Sequence, residues 1–105
     1  MELFDVLSDP NRRRILDLLL PGEWSVGELV DELGLSQPLV SKNLRVLREA
    51  GLVDVRADGQ LRLYRLRPEP LMELDAWLEP YRLLWSGRLD ALEAHLDRME
   101  DDDSA

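Results

Sequence analysis

Two short helical segments joined by a tight glycine turn constrain the fold of this chain more than any other feature. The first segment begins at Ser25-Val26-Gly27-Glu28, the pattern in which a serine caps a helix and a glutamate reaches back to the cap. Gly34 ends it, because glycine readily adopts the left-handed conformation of a helix C-cap. Ser36 can cap the next helix at once, and Gly51 closes that helix. Two helices with so short a turn are typical of a helix-turn-helix.

A β-hairpin is predicted directly after the second helix. Residues 52–56 and 61–66 are rich in residues that favour strands, and Asp58-Gly59 lies between them. Both central residues of a type I′ turn need a positive φ, so we predict that Asp58 and Gly59 form the centre of the turn. A basic hairpin that follows a helix-turn-helix is typical of a wing.

Helical patterns flank this unit on both sides. Leu3, Phe4 and Leu7 predict a short apolar helix face near the N-terminus, and Asp9 is suited to cap the following helix, with Pro10 at its first position. The final third of the chain carries large apolar residues three or four positions apart. They are Leu71, Leu74, Leu78, Tyr81, Trp85, Leu89, Leu92, Leu96 and Met99.

This near-heptad stripe fits either an intrachain core or a dimer interface. We favour the interface, because one small domain has little core with which to cover so many large side chains. Pro80 lies within the stripe and predicts a kink or break near Glu79, since proline does not fit a straight helix interior.

Charge is distributed unevenly along the chain. The net charge of −9 by itself argues against a nucleic-acid partner. Residues 36–67, however, contain seven basic and three acidic residues, whereas residues 68–105 contain three basic and eleven acidic ones. Salt screens charges beyond about 8 Å, so a nearby phosphate senses mainly the local basic patch.

Several stretches resemble the ArsR family of bacterial repressors. They are residues 7–16, 26–29, 35–47, 49–53 and 64–66, and the strongest of them reads LSQPLVSKNLRVL. The resemblance extends over residues 3–99, and residues 70–85 resemble a subgroup that lacks the family's metal sites. Asn43 departs from the family, in which histidine is very often found at this position.

The resemblance implies a symmetric homodimer, paired through its first and last helices, that occupies double-stranded DNA at an operator. Gln37 lies in the first turn of the second helix and suits a base edge, whereas Ser41 and Lys42 suit phosphate. The predicted DNA-contacting residues are Ser36, Gln37, Ser41, Lys42, Asn43, Arg45, Arg56, Gln60 and Arg62. The predicted dimer-interface residues are Leu3, Phe4, Leu71, Leu74, Leu78, Tyr81, Trp85, Leu89, Leu92 and Leu96.

We therefore predict a mostly α-helical fold with a β-hairpin wing, that is, a winged helix-turn-helix with N- and C-terminal dimerisation helices. The domain spans residues 1–99, with the helix-turn-helix at 25–49 and the wing at 52–66. The dimerisation helices are expected at 2–8 and 70–99, and an acidic disordered tail at 100–105.

Other classes of function have less support. The chain has no cysteine and one histidine, His95, whereas a tight transition-metal site needs three or four ligands, so we expect no metal and no cofactor. No nucleophile–base set or phosphate loop indicates an enzyme. Trp77, Tyr81 and Trp85 fit a small-molecule pocket or aromatic packing at an interface, and we favour the packing.

The main alternative is a winged-helix protein-interaction module without DNA binding, which the acidic pI of 4.5 would suit. No secretory signal or membrane span is visible in the sequence, so we expect a cytoplasmic protein. The sequence identifies neither the operator nor a small-molecule inducer, and repression and activation are not distinguished by the residues alone.

Overall fold

The computed structural model describes residues 2–103, with side chains described for residues 2–87 and for Leu96. Five helices and three strands follow one another in the described chain. They are α1 (Leu3–Leu7), α2 (Pro10–Leu19), β1 (Trp24–Ser25), α3 (Val26–Leu33), α4 (Gln37–Glu49), β2 (Val53–Asp58), β3 (Leu61–Leu66) and α5 (Glu69–Asp103). The chain divides into two compact units, one up to Met72 and one from Glu73.

The helix boundaries lie where the capping residues predict them. The Asp9 side chain accepts a hydrogen bond from the Asn11 amide at 2.8 Å, at the start of α2. Ser25 and Glu28 form the reciprocal capping box of α3. Gly34 ends α3 in the left-handed region with a φ of 68°, and this confirms the tight turn.

One apolar core holds the first unit together. Its side chains come from α1, α2, α3, α4 and the start of β2, and burying them supplies most of the favourable free energy of folding. The fully buried members are Val6, Ile15, Leu19, Leu29, Val40, Leu44, Leu47 and Leu52. This core fixes α3 and α4 against one another and leaves the outer face of α4 in solvent.

The wing hairpin turns one residue later than predicted. Asp58 is paired with Leu61, so Gly59 and Gln60 are the two central residues of the turn. Gly59 has a φ of 61°, and no non-glycine residue in the described chain has a positive φ. A positive φ at the first central residue alone is the pattern of a type II′ turn, so the predicted type I′ turn is wrong.

The hairpin also belongs to a larger sheet than expected. β1 pairs with β3 in antiparallel register, Trp24 with Tyr64 and Ser25 with Leu63, which gives the strand order β1-β3-β2. The sequence did not predict β1, because two residues are too short for an alternating pattern. The helix-turn-helix is thus joined to the wing through the strand that immediately precedes α3.

The C-terminal helix is longer than predicted. α5 runs continuously through Pro80, so of the kink or break predicted near Glu79 the break is wrong. Proline removes one backbone donor and crowds the preceding turn, which bends a helix without ending it where both flanks favour helix. Residues 100–103 also belong to α5, although the sequence predicted a disordered tail from residue 100.

Candidate nucleic-acid interface

Helix α4 has one buried face and one polar face. Val40, Leu44 and Leu47 are buried in the core, as their spacing predicts. The rest of the helix surface is dominated by exposed polar and basic side chains. These are Gln37, Ser41, Lys42, Arg45 and Arg48. The geometry therefore presents hydrogen-bonding and cationic groups to solvent along a helix anchored firmly on its other side.

Two exposed residues of the predicted contact set, at the cap of α4 and within it, already have partners in the protein. The Ser36 hydroxyl oxygen accepts a hydrogen bond from the Leu39 amide at 3.3 Å and so caps the helix. Its hydroxyl hydrogen is still available for donation to another acceptor. Arg45 forms an ion pair with Glu49 at 3.2 Å, and both side chains are largely exposed. An exposed pair of this kind contributes little stability and exchanges easily for another anion.

Asn43 lies on the opposite side of α4 from these groups, and its predicted contact with DNA is wrong. Its residue exposure is only 3%, so the side chain is not presented to solvent. Its Oδ1 accepts from Arg12 Nη1 at 3.4 Å, and its Nδ2 has no hydrogen-bond partner. The prediction failed because polarity alone does not tell which face of the helix an asparagine occupies.

The wing carries three predicted contact residues, all exposed. Gln60 lies in the turn, and Arg62 lies beside it on β3. Arg56 on β2 donates from Nε to Glu23 Oε2 at 2.8 Å. The sequence did not single out Glu23, because its approach to the wing depends on the unpredicted strand β1.

Part of the basic patch is neutralised at the base of the wing. Asp54 accepts from Arg65 Nε at 2.6 Å and from Arg67 Nη1 at 2.8 Å. These hydrogen bonds lower the pKa of the Asp54 carboxyl and raise the pKa of both guanidinium groups. Arg67 also pairs with Glu69 at 3.4 Å, and the pKa of Glu69 is lowered, first by its own backbone amide and then by Arg67. Arg65 and Arg67 are therefore engaged internally.

Three exposed cations of the first unit have no hydrogen bond or ion pair within the described residues. They are Lys42 and Arg48 on α4 and Arg62 on β3. Cations without an internal partner are the ones that bind phosphate at the lowest desolvation and exchange cost. The arrangement is suited to neutralise an anionic backbone while Gln37 offers an amide at the start of the same helix.

The predicted interface residues differ in exposure. Leu3 and Leu71 pack against the core of the first unit, and Leu74 and Leu78 are half-buried. Other residues of the set leave about half of their surface in solvent: Phe4 at 50%, Tyr81 and Trp85 at 47%, and Leu96 at 50%. Leu89 and Leu92 lie outside the residues whose side chains are described.

The second unit has its own polar and aromatic contacts. Arg82 bonds to Asp75 and Glu79, and these carboxylates raise the pKa of its guanidinium group. The rings of Trp77 and Tyr81 lie with their centroids 5.0 Å apart. The two residues lie one turn apart on α5, and their contact leaves both side chains about half exposed.

Two further features concern metal binding and membrane insertion. No group of three or more His, Cys, Asp or Glu residues within the described part of the chain is arranged to hold a metal ion. His95 lies outside the residues whose side chains are described. None of the helices, as far as the described residues extend, has the length and apolar content needed to cross a bilayer.

Comparison with known proteins identifies the family. The profile of the bacterial regulatory protein, arsR family, matches residues 9–55. The chain is 33% identical over 76 residues to the transcriptional repressor SdpR of Bacillus subtilis (strain 168), which covers 72% of this chain and 84% of that protein. It is 36% identical over 99 residues to the HTH-type transcriptional regulator Rv2034 of Mycobacterium tuberculosis (strain ATCC 25618 / H37Rv), with 94% and 90% covered.

A solved structure gives the same answer for the fold. The ArsR-like transcriptional regulator from Rhodococcus sp. RHA1 superposes with a TM-score of 0.69 at 31% identity, covering 86% of this chain and 85% of that one. The winged helix-turn-helix predicted from the sequence is thereby confirmed. The chain belongs to the ArsR family of bacterial regulatory proteins.

Proposed function

We propose that this regulator is a homodimeric repressor that binds an inverted-repeat DNA operator through α4 and the β2–β3 wing. The observation that carries the proposal is the outer face of α4, where Gln37, Lys42 and Arg48 are exposed on a helix whose other face is locked into the core. A helix of this kind fits the major groove, and the adjacent hairpin reaches the flanking backbone.

Each exposed residue has a proposed role that follows from its chemistry. Gln37 reads a base edge, because its amide can both donate to and accept from adenine. Ser41, Lys42 and Arg45 bind phosphate, together with the hydroxyl of Ser36. On the wing, Arg56, Gln60 and Arg62 contact phosphate or the minor groove.

The strongly negative total charge is compatible with this role. The excess of acidic residues lies in residues 68–105, whereas α4 and the wing tip present unpaired cations. Screening at physiological salt confines the influence of each charge to about 8 Å. The acidic residues of the C-terminal third should still weaken non-specific binding, because long-range attraction to DNA depends on the total field.

We propose that the dimer forms through α1 and α5. Phe4, Tyr81, Trp85 and Leu96 each expose about half of their surface, and Leu83 and Leu84 expose 67% and 56%. Apolar surface of this extent on a small domain indicates a protein partner. The proposed interface comprises residues 2–8 and 70–99, including Leu89 and Leu92. The proposed DNA-binding segments are the helix-turn-helix at residues 25–49 and the wing at residues 52–66.

The interaction-module alternative is not favoured by the comparisons, because the relatives are named as transcriptional repressors and regulators. We propose that the protein works in the cytoplasm, where bacterial DNA lies, by binding and not by catalysis, and with no metal or cofactor of its own. The proposal specifies no small-molecule inducer.

Selection of DNA sites from a random duplex library, followed by footprinting, tests the proposal. We expect an inverted repeat whose half-sites are about one helical turn, or 34 Å, apart, bound by one dimer. A dimer that enriches no sequence and shows no footprint would contradict DNA reading by α4, and the interaction module would then take its place.

A further inference from the structure

Arg12 lies at a junction of three helices in the first unit. Its Nε donates to the Val6 carbonyl at 2.7 Å, and its Nη2 donates to the Asp5 carbonyl at 3.1 Å. Carbonyls in the last turn of a helix often lack partners within the helix, so a cationic donor there is favourable, and on the Asp5 carbonyl it adds to the bonds donated by Ser8. The Arg12 side chain is only 15% exposed, and it is therefore a fixed part of the end of α1.

Arg12 belongs to α2, and its guanidinium group also contacts the residue that caps this helix and a residue of α4. Its Nη1 lies 3.6 Å from Asp9 Oδ2, at the start of α2, and 3.4 Å from Asn43 Oδ1, in the middle of α4. The contact with Asn43 is longer than the usual range of about 2.7–3.2 Å for such a bond. Because the guanidinium is planar and held by α1, it sets where the Asn43 amide can lie.

Asn43 occupies its buried position at an energetic cost. The residue is 3% exposed, and its Nδ2 donor is buried with no partner. A buried donor without an acceptor loses its hydrogen bonds to water and forms none in the protein. An apolar side chain at this position would therefore make the folded state more stable. The interaction that the amide does make is the one with Arg12, and this contact gives a physical reason for an amide among buried leucines.

We propose that Arg12 and Asn43 form a positioning pair that couples the seating of α1 to the orientation of α4. The proposal rests on the proposed function, because α4 is the helix that reads DNA there and α1 belongs to the proposed dimer interface. Asn43 directly follows Lys42, which is exposed on the outer face of α4. A shift of Asn43 on the inner face therefore moves the phosphate-binding side chain beside it.

The central variant is Asn43→Leu, which removes the contact with Arg12 and the unpaired donor together. It should weaken affinity for the selected operator by about three- to tenfold, in the range of the coupling energies found between contacting residues. The thermal midpoint should stay the same or rise, since the unsatisfied Nδ2 is gone. The salt slope should also fall, because a displaced Lys42 neutralises its phosphate less completely.

Arg12→Met removes the other half of the pair, and Arg13→Met is its matched control. Arg13 also donates to a carbonyl at the end of α1, that of Leu7 at 2.6 Å, and it forms no hydrogen bond or ion pair with α4 among the described residues. Arg12→Met should weaken operator binding, whereas Arg13→Met should leave it near the wild-type value. The operator affinity of the double variant Arg12→Met/Asn43→Leu should be about equal to that of whichever single variant binds less tightly, because the two residues act as one unit.

Three results would overturn the positioning pair. They are unchanged operator affinity in Asn43→Leu, a parallel fall of its affinity and thermal midpoint, and additive losses in the double variant. If the wild-type protein selects no operator, the proposed function fails, and the pair is then judged by hydrogen exchange of the free proteins. In that measurement Asn43→Leu should raise exchange at the end of α1 as well as in α4, and a change confined to α4 would reject the coupling.

Discussion

Glu23 holds Arg56 through a hydrogen bond of 2.8 Å between Oε2 and Nε, and so joins the segment before β1 to the wing. Both side chains are partly exposed, Arg56 at 48% and Glu23 at 31%. In the proposed complex a phosphate needs the same guanidinium group that the carboxylate occupies. Glu23 therefore acts as an internal competitor for DNA.

Replacing Glu23 with glutamine should strengthen DNA binding. The change removes the competing charge, and we expect a gain of about two- to fivefold at low salt, the size of an exposed ion pair. Fluorescence anisotropy with operator and scrambled duplexes measures it, with Glu73→Gln as a control for the loss of one exposed charge elsewhere. Equal affinities for Glu23→Gln and Glu73→Gln would mean that Glu23 does not restrain Arg56.

Gln37 and Lys42 should respond differently to substitution. Gln37→Ala should cost about 1–3 kcal/mol on the operator and little on scrambled DNA, because its amide no longer reads a base. Lys42→Ala should weaken both duplexes and lower the salt slope by about one unit for each phosphate that the lysine no longer neutralises. A salt titration of both variants checks this, and identical behaviour on the two duplexes would argue against distinct roles.

Trp85 should be needed for the dimer. Trp85→Asp would place a charge in the proposed apolar interface, where an unpaired carboxylate is strongly disfavoured. Sedimentation at micromolar concentration should show twice the monomer mass for the wild type and the monomer mass for the variant. Gly22→Asp adds the same charge at an exposed position outside the proposed interface, where a side chain has open space, and should leave the dimer intact. A wild-type protein that sediments as a folded monomer would refute the proposed interface.

The base of the wing should lose a stabilising interaction in acid. Arg65 and Arg67 lower the pKa of Asp54 below its ordinary value of 3.8, so its ion pairs stabilise the folded state fully above that pH. This stabilisation disappears as the pH falls through the folded-state pKa. Asp54→Asn should therefore lower the thermal midpoint near neutral pH, and this difference from wild type should begin to shrink below pH 3.8 and vanish once the pH is below the folded-state pKa.

The control for this prediction is Asp31→Asn, at an exposed position of α3. Its difference from wild type should not follow the same pH course. A gap between Asp54→Asn and wild type that persists unchanged in strong acid would show that the ion pairs are not its source.

Local chemistry made much of this fold predictable. Ser25, Glu28 and Gly34 set the boundaries of α3 through contacts within a few residues, so their roles are legible from the sequence. The buried face of α4 was likewise predictable, because the helical spacing of its apolar residues shows which of them are buried. The ends of α3 and the start of α4 were therefore found where the sequence predicts them, whereas the hairpin turn, also predicted from a local preference, lies one residue later.

Contacts between distant residues escaped prediction. β1 exists because it pairs with β3, and the pairing of Glu23 with Arg56 depends on that strand. Among three consecutive arginines, nothing in the sequence separates Arg12, which is nearly buried, from its exposed neighbours. The predicted DNA contact of Asn43 failed for the same reason, since the Arg12 side chain that it meets in the interior lies 31 positions away in the chain.

The turn at Gly59 has a consequence for the chirality of the chain. Its φ of 61° is a conformation that suits the mirror-image amino acids, and no atom beyond its neighbours lies within 4 Å of where a Cβ would be built. An L-residue there is strained by its own backbone although the space for its Cβ is open, whereas a D-alanine introduced by chemical ligation adopts this φ without that strain. The tip of the wing is thus a place where a protein of L-amino acids would be better served by one residue of the opposite hand.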